Sequence, residues 1–162
     1  MRYMIKQKML SLGDSFDIKD DDGQSSFKVK GKLLSLRDKM ILTDVDGKEV
    51  ATITRKLISL QPTFLIHRHN KLEARLWKKR TLIRQKFGFD GPAMKGVTLQ
   101  GNIWDSEYTF KRKGKSLAKV SRKFWSLSDT YGVHILDDDA DIVMVMASAI
   151  ALDMLRDEEA QG

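Results

Sequence analysis

The chain has 162 residues, 41% hydrophobic and 31% charged, with two prolines and no cysteine. That composition excludes a disordered or disulfide-stapled chain, thiolate zinc sites and cysteine nucleophiles, and the length is that of one ordinary domain, residues 1–162. The formal net charge of +7 points to an anionic partner (a phospholipid surface, nucleic acid or an acidic protein), although charge spread along a chain also serves solubility.

From the N-terminus, Arg2, Lys6 and Lys8 interrupt the apolar residues too early for a secretory leader, and the segment reads as a first strand. With the absent cysteines this fits a cytosolic protein. Short alternating segments then continue to about residue 136, which is an all-β pattern. Phe16 and Ile18 alternate with Asp17 and Lys19, and Phe27 and Val29 with Lys28 and Lys30. Leu72, Ala74 and Leu76 share one face, while Glu73, Arg75, Trp77 and Lys79 take the other. Asp22-Gly23, Asp46-Gly47, Lys113-Gly114 and, more weakly, His69-Asn70 supply turn residues that tolerate positive φ. The predicted strands are 3–10, 15–20, 25–30, 39–43, 48–57, 63–68, 72–79, 85–89, 95–100, 106–112, 115–124 and 131–136.

The last segment differs in kind. Ile142 to Leu152 is rich in Ala, Met, Ile and Val, and Asp137, Asp138, Asp139 and Asp141 crowd its start, where carboxylates cap free amides. A helix over 140–157 is predicted, apolar nearly all round until Asp153. Such a helix must be buried on every side. A membrane span needs ~20 apolar residues, more than this run supplies. The remaining option is enclosure by the preceding strands. A barrel of eight strands fills with its own side chains, whereas a larger one accommodates a central helix. The expected fold is therefore mainly β: a closed antiparallel barrel of about twelve strands around a buried C-terminal helix.

Sliding the chain over itself by 67 positions brings Gly47, Lys48, Ala51, Arg55, Lys56, Ser59, Leu60, Thr63 and His67 onto Gly114, Lys115, Ala118, Arg122, Lys123, Ser126, Leu127, Thr130 and His134. Two similar half-barrels are the natural reading. In each copy an arginine falls on the apolar side of its strand, Arg55 with Ala51, Ile53 and Leu57, and Arg122 with Ala118, Val120 and Phe124. An inward guanidinium needs hydrogen-bonded partners or a route to solvent at the barrel rim. Each arginine is accordingly either a structural group or half of a paired anion site, with Lys56 and Lys123 pointing the other way.

The segment Gly114 to Leu136, with Val120-Ser121-Arg122-Lys123 and Asp129-Thr130-Tyr131-Gly132-Val133, resembles the LURP-one-related family, in particular its small bacterial members. So does the earlier counterpart at Gly47-Lys48-Glu49 and Ile53-Thr54-Arg55-Lys56, and the resemblance spans essentially the whole chain. It implies the fold of tubby C-terminal domains and phospholipid scramblases, about twelve strands around a central helix. Tubby domains bind phosphoinositide headgroups and scramblases act at membranes, so the resemblance also implies an anionic phospholipid as ligand. No tubby-type headgroup motif occurs here from which residues could be carried across.

The strongest basic cluster is Lys78-Lys79-Arg80, with Arg75, Arg84 and Lys86 nearby. It reads either as a phosphate-binding patch or as a solvated hairpin whose charges deter edge-to-edge association. Trp77, Trp104 and Trp125 would stack bases if exposed, but in strands they more often belong to the barrel wall. His67 and His69 have the spacing of metal ligands on one strand face, without an obvious third ligand. Asp20-Asp21-Asp22-Gly23 does not fit a calcium-loop register and is expected to be a turn. No phosphate-binding glycine loop, nucleophile elbow or zinc-protease motif is present. The expectation is a non-enzymatic binding module without cofactor or metal, peripheral to a membrane rather than spanning it. Anion or headgroup contacts are assigned to Arg55, Lys56, Arg122, Lys123, Lys78, Lys79 and Arg80. Nucleic acid, or a protein partner recognising a scaffold, are the other readings.

Overall fold

The computed structural model describes residues 1–6, 15–32, 39–56, 58–79, 86–124 and 130–161. Its strands are β1 (Arg2–Lys6), β2 (Phe16–Asp20), β3 (Ser25–Lys32), β4 (Lys39–Asp44), β5 (Glu49–Arg55), β6 (Thr63–Arg68), β7 (Lys71–Lys79), β8 (Lys86–Asp90), β9 (Val97–Asn102), β10 (Glu107–Arg112), β11 (Lys115–Ser121) and β12 (Thr130–Ile135). One helix, α1 (Ile142–Gln161), follows them. The strands form one antiparallel sheet in the order β8-β7-β6-β5-β4-β3-β2-β1-β12-β11-β10-β9. Its edge strands β8 and β9 come alongside each other without a ladder among the described residues, so the barrel is nearly closed.

Alternation puts one face of each strand inside, where Ile5, Ile18, Val29, Leu42, Ile53, Ile66, Leu76, Phe110, Val120 and Val133 are fully buried. The helix fills the enclosed space. Every residue from Met144 to Leu155 is buried, on all sides of the helix, as a helix without a polar stripe requires. Its closest neighbours are β5, β6 and β7. The one hydroxyl in this run, Ser148, donates to the Met144 carbonyl at 2.6 Å and so carries no unmet demand into the core.

The tight turns follow the local chemistry. His69 and Asn70 both have positive φ (51° and 60°), as do Lys113 and Gly114 (49° and 78°), which is the two-residue hairpin that right-twisted strands favour. In the turns before β3 and β5, the carboxylates of Asp20 and Asp44 each accept two backbone amides, from Asp22 and Gln24 and from Asp46 and Lys48. The acidic run at Asp20 is thus a turn, as expected.

The sequence repeat appears in the ladder register. β5 pairs with β6 through Thr52–His67, Ile53–Ile66 and Thr54–Leu65, and β11 pairs with β12 through Lys119–His134, Val120–Val133 and Ser121–Gly132. These are the same three pairs 67 positions apart.

Four details differ from expectation. The strand predicted over 115–124 ends at Ser121, and Arg122–Phe124 form a 3-10 turn. Leu72 is 46% exposed, because a bulge between the Ile66–Ala74 and His67–Leu72 pairs leaves Glu73 as an extra residue and breaks the alternation. His69 leaves the strand for the turn, so it does not share a strand face with His67. The helix starts at Ile142 and continues to Gln161, and Asp153, read as the end of the apolar run, is only 4% exposed.

Candidate functional site at the basic rim

Because neighbouring strands alternate in direction, the two ends of the barrel have different chemistry. The end where α1 enters carries the turns before β3, β5, β7 and β11, with Asp20, Asp21, Asp22, Asp44 and Asp46 and the Asp137-Asp138-Asp139 connection, interspersed with Lys48, Arg68, Lys71, Lys113 and Lys115. At the opposite end β5 finishes at Arg55 and is followed by Lys56, β7 finishes with Lys78 and Lys79, and β11 is followed by Arg122 and Lys123 in the 3-10 turn. The strand termini Lys6, Lys32, Lys39 and Lys86 reach the same end. Residues 67 positions apart in sequence, Arg55 and Arg122 or Lys56 and Lys123, thus share one rim.

Six of the seven predicted site residues are therefore brought to one end, while Arg80 lies outside the described residues, as do Arg84 and Trp125. The two repeat arginines are not equivalent. Arg55 keeps the parity of buried Ala51 and Ile53 and is half-buried at the end of β5, where it pairs with Phe64. Arg122 is exposed, not inward. The cause is Ser121: its hydroxyl donates to Glu107 Oε1 at 2.6 Å and accepts the Lys123 amide at 3.1 Å, while the Arg122 amide donates to the same carboxylate oxygen at 3.0 Å. These bonds turn the chain out of the sheet one residue before Arg122. The expectation of two matching inward arginines is corrected on this point.

The β5–β6 connection is shaped by its own hydroxyls. The Lys56 amide donates to the Thr63 carbonyl at 2.9 Å, the Gln61 amide donates to Ser59 Oγ at 3.1 Å, and the Thr63 hydroxyl donates to the Gln61 carbonyl at 3.0 Å. Ser59 also bonds the Gln61 carbonyl, and Ile58 and Leu60 are turned outward, 92% and 91% exposed. Beside this connection lies an open groove of about 450 Å³, bordered by Lys56, Ser59, Leu60, Thr63, Arg75 and Trp77.

Trp77 forms the groove wall. Its indole lies flat against β8 where Gly88 leaves room; a Cβ there would sit 2.0 Å from the ring. Arg75 stacks over the same indole, 4.8 Å from its centroid, and donates to Asp90 at 2.8 Å. Lys78 reaches across to the β9–β10 turn, its ammonium 5.8 Å from the Trp104 ring.

Sequence reasoning missed the polar cluster inside this end. Asp153 pairs with Arg156, whose guanidinium donates to Ser106 Oγ at 2.7 Å. Tyr108 lies beside them, its phenol held above the ordinary range by burial first and by the Asp153 charge second, with Arg156 opposing. The spacing Asp153–Arg156 was the available signal, since residues three apart on a helix are neighbours.

No group of three or more His, Asp or Glu side chains with metal-binding geometry occurs among the described residues, and no helix among them is long and apolar enough to cross a membrane.

These features define a helix-filled antiparallel barrel with a cluster of cations at one rim. The chain belongs to the LURP-one-related family, whose model matches residues 1–153. It is 35% identical over 155 residues to the uncharacterized protein YxjI of Bacillus subtilis (strain 168), a match covering 96% of this chain and 93% of YxjI. It is also similar to an Arabidopsis thaliana protein solved by X-ray crystallography, with a TM-score of 0.67 and 19% identity over 95% of this chain and 90% of that one. At that identity the likeness speaks for the fold alone.

Proposed function

We propose that this protein is a non-enzymatic binding module that docks by its basic rim on anionic phospholipid headgroups at the cytosolic face of a membrane. The observation carrying this reading is the convergence of Arg55, Lys56, Lys78, Lys79, Arg122 and Lys123 on one end of the barrel, opposite the aspartate-rich turns. Each cation near an anionic membrane contributes ~1 kcal/mol, so such a rim supplies useful affinity without a deep pocket. Asp17, Lys28, Lys30 and Lys119 keep the outer wall charged and exposed, which favours peripheral docking over insertion of the barrel. The fold likeness to tubby and scramblase domains agrees but is an argument from architecture.

Nucleic acid is the weaker reading. Trp77 and Trp104 carry Arg75 and Lys78 over their rings, so neither presents a bare stacking platform.

Flotation with vesicles of phosphatidylglycerol and phosphatidylcholine, against phosphatidylcholine alone, tests the proposal. Binding to the anionic vesicles only, weakened by salt and by the charge reversals K78E/K79E and R122E/K123E, is expected. Absence of binding to both vesicle types would remove the lipid reading. A single stoichiometric protein captured from lysate, with no lipid binding, would turn it toward a scaffold.

A further inference from the structure

Among the described residues, six large hydrophobic side chains are strongly exposed, and they differ in their surroundings. Val45 (68%), Leu72 (46%) and Leu136 (47%) each adjoin an acid: Val45 stands between Asp44 and Asp46, Leu72 precedes Glu73, and Leu136 precedes Asp137-Asp138-Asp139. Met1, at 67%, is the chain's first residue. Ile58 and Leu60 are different. They are the most exposed of the six, they project two residues apart from one connection, and no acidic residue lies between Glu49 and Glu73. Scattered apolar side chains on a surface are ordinary, but a paired projection on a basic rim is not.

Ser59, Gln61 and Thr63 bond among themselves, which lowers the cost of ordering the segment that presents Ile58 and Leu60 outward. Lys56 adjoins the pair, and the groove behind Leu60 is bordered by Lys56, Arg75 and the hydroxyl side chains of Ser59 and Thr63. Apolar tips in front of cations and hydrogen-bonding groups match the sequence of layers met on entering a bilayer: headgroup phosphate, then acyl chain.

Resting on the lipid reading above, we infer that the β5–β6 connection is the membrane-penetrating element: Ile58 and Leu60 enter the acyl boundary of an anionic bilayer while Lys56 and the adjoining groove face its phosphates. The orientation follows. The basic rim on the β5–β7 side faces the bilayer, and the end that carries the aspartate-rich turns faces away.

The absence of cysteine makes the test direct, since Ile58→Cys, Leu60→Cys and Val45→Cys each create a single attachment site for a polarity-sensitive fluorophore. On adding vesicles of equal parts phosphatidylglycerol and phosphatidylcholine, labels at 58 and 60 are expected to shift to the blue and brighten, and the label at 45 to stay unchanged. The unlabelled variant I58S/L60S should bind these vesicles roughly tenfold more weakly or worse, with its thermal midpoint unchanged because both side chains are exposed. If wild-type protein binds the vesicles but the labels at 58 and 60 do not shift, or I58S/L60S binds equally well, the insertion is wrong and the rim docks by charge alone. A shift that depends on protein concentration without vesicles would mean that a second copy covers the loop, which also overturns the inference. If wild-type protein ignores the vesicles, the lipid reading itself fails.

Discussion

Arg68 grips Asp141 with both terminal nitrogens, at 3.2 and 2.6 Å, joining the end of β6 to the first residue before α1 across 73 positions of chain. The same carboxylate accepts the Met144 amide at 3.2 Å, while the Asp141 carbonyl accepts the first helical amide, from Val145, at 2.9 Å. One aspartate thus caps the helix and ties it to the wall that surrounds it. The ion pair also raises the Arg68 guanidinium above its ordinary value, chiefly through the hydrogen bond to Asp141.

Separating those roles gives the first prediction. Asp141→Asn keeps an acceptor for the Met144 amide and loses the charge, and should cost about 1 kcal/mol or less. Asp141→Ala loses both and should cost about 1–3 kcal/mol. Equal losses in urea unfolding would show that the cap contributes nothing.

Gly88 and Trp77 give the second. Gly88→Ala places a methyl group inside the indole and must displace the ring or the strand, at a cost of about 1–3 kcal/mol. In a Trp77→Ala background the same change should be nearly free. Additive losses in that double-mutant cycle would count against the packing described.

Asp153 and Arg156 give the third. The pair is inside the barrel end, with side chains 2% and 12% exposed. Arg156→Met leaves the Asp153 carboxylate without its salt-bridge partner and should destabilise by about 3 kcal/mol or more. Adding Asp153→Leu should recover much of that loss, because replacing both charges with apolar groups is far less costly than orphaning one. Full additivity, measured by urea unfolding of both single variants and the double, would contradict a direct pair.

The fourth concerns acid. Asp137 pairs with Lys115 and accepts the Asp139 amide, and these, in that order, hold its carboxyl below the usual carboxylate range. A depressed value stabilises the fold above the unfolded-chain value of about 3.9 and loses that contribution as pH falls through the folded value. The stability difference between wild type and Lys115→Met should therefore persist from neutral pH down to about pH 4 and close below it. A difference independent of pH across that window would assign the effect to packing of the lysine stem.

Much of the architecture was legible because it rests on local periodicity. Two-residue alternation in segments such as Phe16–Asp20 marks strands, Asp46-Gly47 and Lys113-Gly114 mark turns, and Ile142 to Leu152 lacks the polar stripe of a surface helix. A fully apolar helix too short for a bilayer has few places to go, so enclosure in a large barrel followed. The repeat was equally readable, and the ladder register reproduces it.

What sequence alone determined, then, was the inventory of elements and the need to bury the last one, since both depend on neighbours along the chain. The tertiary structure decided which charges stand together and which side chains leave the pattern. Arg122 exits because Glu107 holds Ser121, Leu72 because of a bulge against β6, and Asp153 stays inside because Arg156, itself bonded to Ser106, pairs with it there. The basic rim belongs to the same category: Lys56, Lys79 and Lys123 become neighbours of one end only once alternating strands have been rolled into a barrel.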